Sequence, residues 1–160
     1  ENDKKTSLLI TTADFRPLAK ELKLTVSPYR VNSTSPLVNI KSCNYLENLL
    51  AFEEAKKRGF AEAVRLNEKG KIASACLANI FWVKGLEIFT PSLKSGCLAG
   101  TTREFILENR KVFEVEKGLE TLQKADTVFL TSGGLGVRQI FFSKNQLNDL
   151  KLIDLLPFAK

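Results

Sequence analysis

The stretch IASACLANIFWVKGLEIFT, which covers residues 72–90, decides the fold class of this chain. It consists of short apolar runs rich in β-branched and aromatic residues, and the turn signal Lys84-Gly85 interrupts it. A further run precedes it and ends at a second glycine-containing turn, Glu68-Lys69-Gly70. These runs predict short strands, arranged as an antiparallel meander, at residues 62–67, 72–75, 79–84 and 86–90.

Helical patterns flank this meander on both sides. Residues 45–58 carry apolar side chains at helical spacing and end before Gly59, a residue type that commonly follows a helix C-terminus. Further helices are predicted at residues 100–110, 118–124 and 145–156, and further strands at residues 8–12, 22–26, 127–131 and 137–142. Together these elements predict a mixed α+β domain.

The composition is that of an ordinary globular domain. The chain has 160 residues, of which 44% are hydrophobic and 26% are charged, enough to bury one core. Its longest apolar runs fall far short of the ~20 residues that span a bilayer, and its start shows no secretory signal pattern. We therefore expect a cytoplasmic protein that does not bind a membrane.

Cysteine usage and charge argue against two further kinds of site. Cys43, Cys76 and Cys97 are widely spaced and there is no histidine, so we expect reduced, half-buried thiols and no metal site. The net charge is +6, but the basic residues are spread along the chain without interleaved aromatic residues. This pattern favours acidic small molecules over nucleic acid as binding partners.

Lys41 is the first residue whose position indicates chemistry. It follows a predicted strand at residues 37–40 and precedes the predicted start of a helix near Ser42 or Asn44. A lysine at a strand end can lose part of its solvent shell, which makes its amine more nucleophilic toward carbonyl compounds. From position alone, an ordinary surface lysine is the alternative.

Two glycine-containing segments are candidate anion sites. The segment GTTR at residues 100–103 opens a predicted helix, where free backbone N–H groups and a threonine hydroxyl favour phosphate. The segment TSGG at residues 131–134 leads from a predicted strand into a turn whose amides can enclose an anion, although an ordinary turn fits the same residues. Together with Lys41, these segments suggest a phosphorylated carbonyl cofactor.

At these positions the sequence resembles the class IV aminotransferases, a family of pyridoxal-phosphate enzymes that includes branched-chain aminotransferase, D-amino acid aminotransferase and aminodeoxychorismate lyase. The resembling motifs are NIKSCNYL at residues 39–46, EA at 54–55 with Gly59, the block at 70–81 that ends in ANIF, TP at 90–91 and GTTR at 100–103. They occur in the family's order. The resemblance implies the large C-terminal domain of the D-amino acid aminotransferase-like fold, with antiparallel strands and flanking helices.

The resemblance also implies roles for particular residues. Lys41 would carry pyridoxal 5'-phosphate and later move the α-proton of the substrate. The amides of Thr101 and Thr102, with the Thr102 hydroxyl, would bind the cofactor phosphate, and Ser132 and Gly133 would supply further donors to the phosphate or to a substrate carboxylate. A homodimer that acts on a small amino-acid-like substrate is implied as well.

One departure from the family concerns the cofactor ring. Most members carry a glutamate five positions before the asparagine of the ANIF motif, here Asn79, whose own implied role is structural; this chain has Ser74 instead. A serine can hydrogen-bond the ring nitrogen without holding its proton, which makes the ring a poorer electron acceptor and disfavours transamination. Ser74, Trp82 and the turn at residues 135–137 favour the aminodeoxychorismate lyase branch. Its reaction converts 4-amino-4-deoxychorismate to 4-aminobenzoate and pyruvate in folate biosynthesis, and a branched-chain or D-amino acid aminotransferase is the alternative.

A second departure is length. Family members have a smaller domain before this region, which supplies a phosphate-binding arginine and covers the substrate. We therefore expect residues 1–30 to be a segment linking from an absent N-terminal domain and residues 31–160 to be the pyridoxal-phosphate-binding large domain. A non-catalytic truncated domain is the alternative of another class. Candidate ligands for a substrate carboxylate are Tyr29, Arg30, Tyr45 and Arg138.

Overall fold

The computed structural model describes residues 8–12 and 22–140, which form a mixed α+β fold as predicted. The strands are β1 (Leu24–Val26), β2 (Glu62–Leu66), β3 (Ile72–Ala75), β4 (Asn79–Lys84), β5 (Glu87–Pro91), β6 (Val112–Val115), β7 (Thr127–Ser132) and β8 (Gly136–Ile140). The helices are α1 (Leu46–Lys57), α2 (Thr101–Asn109) and α3 (Glu120–Gln123), with a 3₁₀ turn at Leu93–Ser95. In this described part of the chain, no helix combines the length and the apolar character needed to cross a membrane.

The smaller sheet has the strand order β1-β2-β3. β1 runs parallel to β2, with Leu24 opposite Glu62, whereas β3 runs antiparallel to β2, with Ser74 opposite Arg65. Every residue of β2 is buried, as expected for a central strand that is covered on both faces. β1 lies before residue 30 in the sequence, and the domain boundary there stays a prediction.

The larger sheet has the strand order β6-β5-β4-β7-β8. β4 pairs antiparallel with β5 and with β7, β7 pairs antiparallel with β8, and β5 pairs parallel with β6. The predicted antiparallel neighbours β2–β3 and β4–β5 are present, but they belong to different sheets. The parallel pairs were missed because they join strands that no local turn connects.

The main core contains side chains from both sheets. Ile80 and Trp82 of β4 meet Val64 of β2 and Ile72 of β3 there, and all four are at most 1% exposed. Burial of such large apolar side chains is the main favourable contribution to folding. The core therefore holds the two sheets together along β4.

A second apolar cluster covers the opposite face of β4. Phe81 alternates with Trp82 along the strand and stacks on Phe129 of β7, with ring centroids 5.2 Å apart. Ile106 of α2 packs into the same cluster. α2 is thereby attached to the face of the larger sheet that the smaller sheet does not cover.

Most predicted elements are confirmed to within two residues, but the strand predicted at residues 8–12 is wrong. Its apolar side chains are mainly exposed, with Leu8 at 85% and Ile10 at 78%. An apolar run becomes a strand only where another strand pairs with it, and no described strand pairs with this one. The helix predicted at residues 145–156 and the end of the strand predicted at 137–142 lie outside the described residues.

The strand predicted before Lys41 is also wrong. Residues 37–40 form a turn in which Asn39 has a φ of 64°, a left-handed conformation that a strand does not contain. The helix predicted to begin near Ser42 or Asn44 begins at Leu46 instead. Lys41 therefore lies in a loop and not at the end of a strand.

The predicted end of the first helix is confirmed. Gly59 has a φ of 83° and donates its N–H to the Lys56 carbonyl oxygen at 2.9 Å. Phe60 donates to the Ala55 carbonyl oxygen at 3.0 Å. This pair of bonds is the Schellman arrangement, in which the residue after the helix must adopt a left-handed conformation.

Gly59→Ala is expected to lower the free energy of unfolding by about 1–2 kcal/mol, the usual cost of a left-handed conformation with a Cβ. A Cβ at Gly59 would meet no atom within 4 Å, so the cost comes from the backbone alone. Gly133→Ala is the matched control, because it also has open space and lacks the positive φ. Urea unfolding of both variants measures the difference, and equal stabilities would contradict the assignment.

Candidate active site

A cleft with a volume of about 740 Å³ brings the predicted site residues together. Its walls come from the loop before α1, the end of β3, the start of α2 and the turn after β7. All the residues predicted to act on a cofactor line it, namely Lys41, Ser74, Thr101, Thr102, Ser132 and Gly133. Four segments that are distant in sequence thus meet at one place, although the roles of these residues stay predictions.

The loop that carries Lys41 is fastened to the segment before α2. Asn39 adopts its left-handed conformation two residues before Lys41. With the amide oriented to suit its neighbours, its nitrogen donates to the carbonyl oxygens of Leu93 and Cys97. These bonds hold the backbone near Lys41 against the cleft.

The Lys41 amine is placed over an aromatic ring. Lys41 is exposed, and its Nζ lies 4.1 Å from the centroid of the Tyr45 ring, within the range of a cation–π contact. Among the described residues, no carboxylate forms an ion pair with this amine. The amine is therefore oriented by Tyr45 without being neutralised.

The start of α2 presents backbone amides that no helix carbonyl accepts. Gly100 is the N-cap and no side chain caps the helix, so the N–H groups of Thr101 and Thr102 have no partner within it. Asn79 donates its Nδ2 to the Leu98 carbonyl oxygen at 2.8 Å, and a Cβ at Gly100 would collide with the Asn79 Oδ1. Asn79 thus fixes the approach to an N-terminus that favours anions.

The turn after β7 forms the opposite part of the lining. Ser132 accepts a hydrogen bond from the Leu135 N–H at 3.0 Å, and Gly133 is exposed. The Thr131 hydroxyl is buried and has no hydrogen-bond partner among the described residues. Since buried hydroxyls are normally paired, Thr131 has an unused donor in the wall of the cleft.

Arg65 is a cleft residue that the sequence analysis missed. Its side chain is 3% exposed, and it donates to the Asn48 Oδ1 and to the Arg30 carbonyl oxygen, each at 3.1 Å. It lies opposite Ser74 in the β2–β3 pair, so the two side chains share a face. In a strand with the sequence Glu-Ala-Val-Arg-Leu, an arginine is expected to lie on a solvent-exposed face. Arg65 is buried instead, because both faces of β2 are covered.

Glu62 lies behind the cleft lining and fixes the backbone of neighbouring residues through hydrogen bonds. Its carboxylate accepts hydrogen bonds from the N–H groups of Ala63, Cys76 and Leu77 at 2.8–3.0 Å. Burial raises the pKa of Glu62 above its ordinary value of 4.5, although these bonds oppose the shift. Burial, and then the charge of Glu62, also raise the pKa of Tyr45.

The other predicted carboxylate ligands are only partly placed at the cleft. Tyr45 lines it, whereas Tyr29, Arg30 and Arg138 are not among its lining residues and are exposed. Arg30 contributes its carbonyl oxygen to Arg65. Of these four predicted carboxylate ligands, only Tyr45 lines the cleft in the part of the chain that the structure describes.

The cysteines are free thiols, as expected, but their exposure differs from the expectation. Cys43 is exposed, and Cys76 and Cys97 are buried. Burial, followed by the charge of Glu62, raises the pKa of Cys76 to about 12, so this cleft-lining thiol stays protonated near neutral pH. It contributes packing rather than a nucleophile.

Comparison with known proteins identifies the family. Residues 1–141 match the sequence model of the amino-transferase class IV family. The chain is 39% identical over 126 residues to an aminodeoxychorismate lyase of Bacillus subtilis, covering 76% of this chain and 42% of that relative. It is 34% identical over 104 residues to the branched-chain-amino-acid aminotransferase of Escherichia coli K12, covering 62% and 34%. The chain belongs to the class IV aminotransferase family.

A solved structure agrees with this assignment. An aminotransferase from Brucella abortus bound to the co-factor PLP superposes with a TM-score of 0.74 at 27% identity, covering 86% of this chain and 52% of that one. The predicted family and fold are thus confirmed. The chain spans less than half the length of the two curated relatives that it matches.

The Glu62→Gln variant tests the buried carboxyl. Because the folded-state pKa lies above 4.5, the stability from protonated Glu62 is fully present below pH 4.5 and is lost as pH rises through the folded-state pKa. Gln does not titrate, so the free energy of unfolding of the wild type is expected to fall relative to Glu62→Gln as pH rises from about 4 to 8. Chemical unfolding at each pH measures this, with the exposed Glu116→Gln as control, and a widening wild-type advantage would contradict it.

Proposed function

We propose that this protein is a pyridoxal-phosphate-dependent lyase that converts 4-amino-4-deoxychorismate to 4-aminobenzoate and pyruvate. The observation that carries the proposal is a cleft lined by Lys41 and by the uncapped start of α2, with Ser74 at the position of the family's glutamate. The higher identity to aminodeoxychorismate lyase, 39% against 34% for the aminotransferase, points the same way. Such a protein would act as a cytoplasmic homodimer in folate biosynthesis.

The cleft fits pyridoxal phosphate through three of its features. Among the described residues, Lys41 offers an amine without an ion-pair partner, Thr101 and Thr102 offer amides without an acceptor in the helix, and Thr131 offers a buried hydroxyl without a partner. The turn at residues 132–134 would supply further donors to the phosphate or to a carboxylate. A related solved structure from Brucella abortus carries the same cofactor.

The chemistry would be divided between the cofactor and Lys41. Pyridoxal phosphate, when bound, would take up the amine of the substrate and withdraw electrons from its carbon skeleton. The Lys41 Nζ would remove a proton from the substrate ring and return one to the departing enolpyruvate. The Tyr45 ring restrains the direction of this amine. The amides at the start of α2 would hold the phosphate of the cofactor.

The charges around Ser74 support a lyase over an aminotransferase. Glu62 accepts three backbone N–H bonds and is not a cleft-lining residue. Glu47 is the single carboxylate among the described lining residues, and its side chain is 80% exposed and directed toward Arg65. No described carboxylate thus replaces the family's glutamate. An elimination that ends in an aromatic ring needs less electron withdrawal than transamination does.

A class IV aminotransferase is the second candidate. The 34% identity to the Escherichia coli branched-chain enzyme over 104 residues favours it. Both candidates need the same cofactor and the same lysine. The fate of the substrate separates them, since the lyase releases pyruvate and the aminotransferase transfers an amino group to a keto acid.

Purified protein with pyridoxal phosphate and 4-amino-4-deoxychorismate is expected to release pyruvate, measured by coupling to lactate dehydrogenase. Lys41→Ala should lower the rate by about 10²–10⁴-fold and abolish the visible absorption of a lysine-bound cofactor. Lys69→Ala, an exposed lysine in the β2–β3 turn, is the control and should change neither. Amino transfer without pyruvate would refute the lyase, and an unchanged absorption band in Lys41→Ala would refute the role of Lys41.

Ser74→Glu separates the two candidates further. A glutamate there would face Arg65 across the strand pair and add a negative charge to the cleft. We expect pyruvate release to fall at least about tenfold, a loss of ~1.4 kcal/mol in transition-state stabilisation, with no gain of amino transfer. Ser74→Ala, which keeps the position neutral, should lower the rate less. A Ser74→Glu protein that transaminates at an unchanged lyase rate would favour the aminotransferase.

A further inference from the structure

Arg65 is a buried cation in the wall of the cleft that retains unused donors. Its guanidinium donates to the Asn48 Oδ1 and the Arg30 carbonyl oxygen, both of which are neutral acceptors. Its buried Nε–H has no partner among the described residues. A guanidinium has five N–H donors, so these contacts leave part of its binding capacity free.

The charge of Arg65 is poorly compensated. The carboxylate paired with it belongs to Glu47, 3.6 Å from the Arg65 Nη2, beyond ordinary hydrogen-bond distance, and the Glu47 side chain is 80% exposed. Burying a cation is unfavourable unless an anion and hydrogen bonds replace its hydration. Glu47 also lines the cleft, and it therefore stands near the place where an anion would complete the environment of Arg65.

We propose that Arg65 binds a carboxylate of the substrate in this cleft. The planar guanidinium matches a carboxylate in a bidentate arrangement, and its plane is already fixed by Asn48 and Arg30. Ser74 shares the face of the strand pair with Arg65, so the carboxylate would lie next to the ring nitrogen that Ser74 is proposed to contact. An incoming carboxylate takes the place of Glu47, whose exposed side chain turns to solvent.

The identity of that carboxylate rests on the proposed function. The lyase substrate carries a carboxylate on its ring and another on its enolpyruvyl group, and either is of the right chemistry. Benzoate represents the first and pyruvate the second. Benzamide has the shape of benzoate without its charge, so it separates recognition of an anion from simple filling of the cleft.

The test is calorimetric titration of the full protein without cofactor. Benzoate or pyruvate should bind saturably, and benzamide should bind at least tenfold more weakly than benzoate. Arg65→Gln should weaken the preferred carboxylate at least tenfold and leave benzamide unchanged. Arg110→Gln, an exposed arginine outside the cleft, should change nothing. Equal affinity for benzoate and benzamide, or an unchanged carboxylate affinity in Arg65→Gln, would overturn the proposal.

Glu47→Gln tests the same site from the surface. Since Glu47 is exposed, its substitution leaves the fold intact even if Arg65→Gln does not fold. Removing the competing carboxylate should tighten benzoate or pyruvate binding severalfold, and an unchanged or weaker affinity counts against the proposal. These measurements need neither cofactor nor turnover. A protein that binds carboxylates through Arg65 but releases no pyruvate therefore refutes the lyase and not this site.

Discussion

The burial of β4 on both faces is the constraint on which the rest of the structure depends. Alternate residues of this strand face two different apolar clusters, so a shift of its register by one residue would exchange the two cores. The fixed register places Asn79, the first residue of β4, opposite Thr131. From there Asn79 reaches the Leu98 carbonyl and sets the backbone that enters α2. The cleft thus inherits its geometry from core packing.

Several groups that attract negative charge line the cleft. Lys41 contributes an exposed amine, α2 contributes free amides at its positive end, and Arg65 contributes a buried guanidinium. The carboxyl of Glu62 lies behind the wall and is occupied by backbone amides. A ligand with separate anionic groups can therefore engage several parts of the lining at once. Two of the chain's cationic side chains, Lys41 and Arg65, thus lie in the cleft lining.

Local sequence signals predicted the strands and the helix ends because those features depend on neighbouring residues. Gly59 ended α1 as expected, since a left-handed residue there is a local requirement. The predictions that were wrong or incomplete concern features that depend on tertiary contacts. Asn39 turns the chain where a strand was predicted, and its amide bonds to carbonyls more than fifty residues away. Arg65 was not predicted as a site residue, because nothing near it in sequence indicates that both faces of β2 are covered.

The site residues were found through motifs, and their meeting in one cleft could not be read from any single segment. Lys41, in the loop before α1, and Thr102, in α2, line the same cleft although they are distant in sequence. The TSGG motif marked residues 131–134 as a candidate anion site, but nothing in it indicates that the Thr131 hydroxyl is buried without a partner among the described residues. Periodicity reports which side of an element is apolar, whereas the polar lining of a cleft depends on which elements become neighbours.

The parallel pairing of β1 with β2 has a consequence for the order of folding. The connection between these strands, residues 27–61, contains both the Lys41 loop and α1. Closing so long a connection costs chain entropy before its contacts form, whereas the β2–β3 hairpin closes over a short turn. We therefore expect the hairpin that carries Arg65 and Ser74 to form before β1 pairs with β2. The part of the cleft lining that residues 31–48 contribute is accordingly expected to join the hairpin late in folding.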